Sequence, residues 1–328
     1  MDTLEQLKSA VSCGDYLAAW LSELPEGLSP AEYEWLARLK LEQGDFNAAR
    51  HMLERASLVA ADPSEKQLFR MQLIGLEAQS TGDVAQARAH AGALMTSGIS
   101  DSIVLRVLFL RVELLAGMTW MIPPQAARSE LQSLIPDLAV VSPYRAATAE
   151  RWLAATATTT SEVLACAERS AHFARLAGFP HLGADTWIVA AQKARNALRP
   201  ISTILQALEH AQKGFEATRH RPGLLAVARE RLLVRLLTGE AAPEELAVLC
   251  NEAERLGATA LSYSIEIDLA THLRDRGRVS EARKHEAKSA ELATTSGMGN
   301  LFKGATGRKF SNGTAVVQSP AFGCRRSR

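Results

Sequence analysis

The strongest constraint on this chain is a turn that keeps returning. Glycine closes one helical pattern and opens the next at Gly14-Asp15, Gly44-Asp45, Gly82-Asp83, Gly117, Gly239-Glu240 and Gly277; the first three intervals and the last run from 30 to 38 residues. Glycine reaches the left-handed conformation that ends a helix, and the aspartate that often follows can cap the next one. Each interval holds two helical patterns. Such a unit cannot bury its apolar face alone and must stack on its neighbours, which predicts an elongated array of helical hairpins.

The residues between the turns sharpen this expectation. Residues 30–63, PAEYEWLARLKLEQGDFNAARHMLERASLVAADP, carry Tyr33, Leu36 and Ala37 in a first helix, then Gly44-Asp45-Phe46, then Ala49, Leu53 and Ala56 in a second. Ile74, Gly75, Gly82, Asp83, Val84 and Ala87 repeat that register, as do Leu269, Ala270, Gly277, Val279 and Ala282. These units resemble tetratricopeptide repeats. Between about 117 and 258 the pattern loosens and is similar to the longer helical repeats of MalT-like bacterial regulators. The resemblance implies an all-α, right-handed superhelical solenoid of antiparallel helix pairs. About eight pairs are expected over residues 1–296, with a basic, disordered tail over 297–328.

About sixteen helices are predicted. Among them, one over 15–24 completes the first pair and one over 123–136 stops at Pro136. Pro30, Pro123, Pro143, Pro222 and Pro243 fall near predicted helix starts, where the missing N–H has no intrahelical partner to lose. Pro63, Pro180 and Pro200 are read as loop residues. The tail is rich in Gly, Ser, Thr and Arg, with a short strand predicted at 314–318 that can add to a partner's sheet edge.

Composition supports an all-α fold: 47% of residues are hydrophobic and only 5% aromatic, with alanine and leucine dominating. The N-terminus has no basic segment leading into an apolar run, so no secretory signal is expected. The most apolar stretch, residues 102–118, is interrupted by Arg106, Arg111 and Glu113, which argues against membrane insertion and for a cytoplasmic protein. Residues 1–60 hold ten acids against five Lys and Arg, whereas residues 301–328 hold six Lys and Arg and no acid.

No catalytic, cofactor-binding or metal-binding motif emerges. The four cysteines are scattered without CxxC pairs, the histidines never stand four apart, and no phosphate loop or nucleophile elbow is present. Nucleic acid is expected only as non-specific contact through the basic tail. The resemblance implies instead a concave surface lined by the first helix of each pair. On it the family register places Glu34, Arg38, Phe69, Gln72, Gln79, Arg111 and Arg274 as partner-binding residues, along with Leu41, Leu76, Val107, Ile267 and Thr271. Trp120, in the long turn GMTWMIPP, is a further candidate docking residue. The lysine and asparagine clamp that holds chaperone C-termini is absent from the corresponding positions Glu34, Arg38, Gln72 and Leu76. The expected function is a non-enzymatic scaffold or adaptor for a protein or peptide partner. The alternative is a sensing solenoid of a bacterial signalling or transcription-control system whose output lies in another chain. Homo-oligomerisation is left open.

Overall fold

The computed structural model describes residues 2–98, 102–119 (side chains to 115) and 125–298. Fifteen α-helices run through them in chain order. They are α1 (Thr3–Cys13), α2 (Pro30–Gln43), α3 (Phe46–Val59), α4 (Pro63–Thr81), α5 (Val84–Thr96), α6 (Ile103–Thr119), α7 (Gln125–Val141) and α8 (Pro143–Thr156). The remainder are α9 (Thr160–Leu176), α10 (Pro180–Asn196), α11 (Ile201–Thr218), α12 (Arg221–Thr238), α13 (Glu244–Arg255), α14 (Thr259–Asp275) and α15 (Val279–Thr295). The fold is an all-α solenoid of antiparallel helix pairs.

Local chemistry accounts for the hairpins. Gly44 adopts φ 97°, and its N–H and that of Asp45 both return to the Lys40 carbonyl, closing α2. The Asp45 carboxylate then accepts from the Ala48 N–H at 2.9 Å and opens α3. Asp83 repeats the cap on Gln86 at 3.0 Å. Ser29 and Glu32 form a reciprocal capping box at the start of α2. Ala37, Ala49, Leu53 and Ala56 are all buried where the helices of the first complete pair meet. Each alanine lets two backbones approach closely.

Three expectations need correction. The second helix, expected over 15–24, is a turn followed by a short 3-10 helix at Ala19–Glu23. The stretch between Gly14 and Pro25 is too short to repay helix nucleation, and buried Tyr16 and Leu28 hold it against the core instead. Second, α7 continues through Pro136 to Val141. Pro136 is exposed, and the extra turn buries Leu138 completely, which offsets the missing hydrogen bond. Third, Pro63 and Pro180 are the first residues of α4 and α10 rather than loop residues. The strand predicted at 314–318 and Trp120 lie outside the described residues. Met298, the last described residue, is buried against Tyr263 and Ala293, two positions beyond the expected end of the packed array.

From α4 to α14 each even-numbered helix packs on the next even-numbered one, whereas the odd-numbered helices α3 to α15 make no comparable contact with each other. The even helices therefore form the inner layer. Their curvature brings the two ends of the array together. The N–H groups of Phe46 and Asn47 donate to the Ser296 carbonyl, the first at 2.8 Å, and α1 reaches α10 and α11. One buried cluster joins Leu7, Val11, Trp35 and Leu39 to Leu233, Leu246, Ile265 and Leu269. At this closure Gly44 faces Ala260, and a Cβ on it would lie 2.6 Å from the Ala260 nitrogen. Gly14 sits as tightly against His220 and Pro222.

Candidate functional site: the polar inner face of the solenoid

Because the array turns back on itself, α2 lies opposite α8 rather than beside open solvent. Trp35 stacks on Phe179 with ring centroids 5.1 Å apart, and Tyr144 meets both rings edge-on. The Arg38 guanidinium lies 4.3 Å over Trp35 and 4.4 Å over Tyr144, between two electron-rich faces. Burial pushes the Tyr144 phenol up to about 12, so it stays protonated at neutral pH.

A polar network crosses this inner layer. A single Glu34 oxygen accepts from Arg38 at 2.6 Å, from Arg145 on α8 at 2.8 Å and from Gln72 on α4 at 3.1 Å. Burial opposes the Glu34 charge, but the two guanidiniums prevail and hold its pKa at about 2. Seven residues along the same face of α4, Gln79 accepts from Arg111 on α6 at 2.9 Å. Arg111 in turn lies 5.2 Å from the Trp152 ring on α8. Side chains of Glu34, Arg38 and Arg145 keep 14 to 20% of their exposure, so the face is narrow but reached by solvent.

Further along, Glu42 of α2 faces two histidines. Its oxygens lie 3.7 Å from His181 Nε2 and 3.9 Å from His220 Nε2, just beyond hydrogen-bond length, and the two imidazoles are parallel 5.3 Å apart. His220 Nδ1 accepts from the Gly223 N–H at 2.9 Å as the cap of α12. In the neutral ring the proton therefore sits on Nε2, directed at Glu42. Burial again raises the Glu42 pKa, and the two imidazoles overcome it to bring the group to about 2. Deeper in the array, Arg229 pairs with Asp268 at 2.6 Å, and Arg195 and Arg229 both contact buried Glu230 at 3.2 Å.

One group has metal-ligand chemistry. Cys250 and Glu254 on α13 and Glu266 on α14 bring ligand atoms within 4.8 Å of one another. The Lys288 ammonium already holds that position, donating to Glu254 at 2.5 Å and Glu266 at 2.9 Å, while His285 contacts Glu266 at 2.6 Å. The cluster thus carries its own cation. Burial and the neighbouring Glu266 raise the Cys250 pKa far above the usual thiol range, so Cys250 is a thiol and not a thiolate nucleophile.

The expected binding residues divide accordingly. Glu34, Arg38 and Gln72 meet in one network, and Gln79 and Arg111 in the next. Phe69 does not join the polar inner face: it is 2% exposed, in a core cluster with Ala49, Leu53 and Leu76. Leu76 and Val107 are likewise core, because these helices carry their apolar stripe into the neighbouring pair. Arg274 pairs with Glu286 on α15. The sequence reading missed Trp35, Glu42, Tyr144, Arg145, Trp152, Phe179, His181 and His220. Arg145 and Trp152 stand seven apart, two turns along one helical face, and that spacing was the available signal.

No protein-family model and no curated protein sequence matches the chain. Among solved structures it is similar to a Rap protein crystallised in complex with competence and sporulation factor. The likeness has a TM-score of 0.55 and 11% identity, covering 89% of this chain and 79% of the Rap chain. At that identity the match establishes the fold. No helix among the described residues is long and apolar enough to cross a membrane.

Proposed function

We propose that this protein is a non-enzymatic interaction module that takes an extended segment of a partner protein against the inner faces of α2, α4, α6 and α8. The observation that carries this is the lining itself. Arg38, Arg145, Gln72, Gln79 and Arg111 are polar side chains held half-buried and oriented on the inner face of the array. Stability alone does not call for them, since well-packed apolar residues are commonly as stable or more so. Pre-oriented amides and guanidiniums do suit the recognition of a peptide backbone and its side chains. A cytoplasmic setting belongs to the same reading.

The test is capture of a partner by the full chain, mapping of the bound segment, and titration of that segment against Gln72→Ala and Gln79→Ala. Weakening of about tenfold by either supports the proposal. A segment whose affinity is indifferent to both, and sensitive instead to substitutions on odd-numbered helices, refutes it.

The neighbour's bound factor favours a second reading, in which occupancy of the channel is a signal relayed to another chain. It requires a ligand that raises the melting temperature with the logarithm of its concentration once that exceeds Kd.

A further inference from the structure

We propose that Arg111 is the receptor for a carboxylate carried by the occupant of the inner channel, a segment of another protein bearing an acidic side chain. This rests on the channel being the binding surface, and it specifies the chemistry of what binds there.

The other guanidiniums of the inner layer already have acids. Arg38 and Arg145 share Glu34, Arg151 faces Asp185 at 3.7 Å, and Arg195 and Arg229 lie against Glu230 and Asp268. Arg111 has none among the described residues. Its hydrogen bond goes to the neutral Gln79 amide, and its Nε is buried without a partner. Burial and the nearby Arg151 lower its pKa to about 10, which leaves it charged at neutral pH and uncompensated. A charge in that condition is costly unless something neutralises it.

The neighbouring groups supply no counter-charge. Gly75 presents no side chain to the guanidinium; a Cβ there would already touch Nη1 at 3.6 Å, and anything larger would cover that edge. Trp152 offers a ring face but no acceptor. Across this part of the inner layer Arg38, Arg111, Arg145 and Arg151 stand against Glu34, Glu42 and Asp185, which leaves one positive charge in excess, so the local field favours an anion. The chain's own tail has no acidic side chain to offer, since Glu291 is the last acid in the sequence. A carboxylate presents two oxygens in the geometry that a guanidinium edge matches, which makes it the natural complement.

The experiment uses full-length protein labelled with 15N at arginine, with the Arg111 Nε–H resonance assigned by its loss in Arg111→Gln. Four probes are titrated: a capped pentapeptide of alanine with a central glutamate, its glutamine counterpart, capped pentaalanine with a free C-terminus, and inorganic phosphate. Side-chain recognition predicts a saturable shift with the glutamate peptide and binding about tenfold weaker for the glutamine and free-terminus peptides. Because the arginine is poised for a ligand, Arg111→Gln should melt no lower than the wild type while losing the glutamate response. A response to phosphate alone, an equal response to the glutamine peptide, a response confined to the free terminus, or none overturns the assignment. So does a lower melting temperature for both Arg111→Gln and Arg111→Lys, which would mark a structural arginine. If Gln72→Ala and Gln79→Ala weaken a partner while Arg111 stays silent, the channel reading stands and the carboxylate reading falls. If the glutamate peptide binds at Arg111 but mapped partner segments ignore the channel, the reverse holds.

Discussion

Replacing Gly44 with alanine tests the closure of the array at one atom. Two costs add. Gly44 sits at φ 97°, where a Cβ costs about 1–2 kcal/mol. The new Cβ also lies 2.6 Å from the Ala260 nitrogen and 2.8 Å from its Cβ. Backbone cannot yield as a side-chain tip can, and overpacking of this kind costs about 1–3 kcal/mol. Gly277 separates the two effects. It has φ 78°, with nothing within 4 Å of an added Cβ, so Gly277→Ala carries only the conformational term. Urea unfolding should show Gly44→Ala losing about 2–5 kcal/mol and Gly277→Ala about 1–2. Amide exchange locates the damage. The Phe46 N–H is bonded to the Ser296 carbonyl across the closure, so its protection should collapse in Gly44→Ala and persist in Gly277→Ala. Equal stability losses with equal Phe46 protection would falsify the claim that the ends of the array are locked together through this turn.

Acid should weaken the same region. Glu34 and Glu42 both have folded pKa values of about 2 against an ordinary 4.5, so their contributions are complete above pH 4.5 and disappear as pH falls through 2. Each is worth of order 3 kcal/mol. Unfolding free energies at pH 5, 4 and 3 should fall steeply, and Glu34→Gln or Glu42→Gln should each flatten the slope; unchanged slopes would sink this account. Truncating Trp35 to alanine removes the centre of the aromatic contact between α2 and α8 and should cost about 3–5 kcal/mol, measured by urea midpoint at constant m-value. Pro136→Ala should stabilise the protein by about 1–2 kcal/mol, since it restores an N–H to an exposed helix interior; a fall in melting temperature would show that the proline ring is needed there.

The parts of the fold written in short stretches of chain were legible. Gly44 and Asp45 announce a turn because a left-handed glycine and a capping carboxylate are properties of adjacent residues. The alanines three and four apart in α3 announce a close crossing for the same reason. Closure was not legible, because it accumulates from small rotations between successive pairs, and no single pair encodes the sum. That is why Trp35 could be read as a buried aromatic but not placed against Tyr144 and Phe179, more than a hundred residues away. The candidate site was half legible for a related reason. The repeat register put Glu34, Arg38, Gln72, Gln79 and Arg111 on inner faces, but it misassigned Phe69, whose helix turns that side into the preceding pair, α2 and α3. It also did not reach His181 or His220 in the loosely patterned middle, where Arg145 was marked only by its seven-residue spacing from Trp152.

The Phe46 to Ser296 hydrogen bond changes what kind of statistical object the chain is. An open array of stacked units can melt from either end, because a terminal unit has one neighbour and losing it creates a single boundary between ordered and disordered regions. Joined head to tail, every unit has two neighbours, and disorder anywhere must open two boundaries at once. Fraying then loses its favoured starting point, and the helices nearest the chain ends become as hard to release as those in the middle.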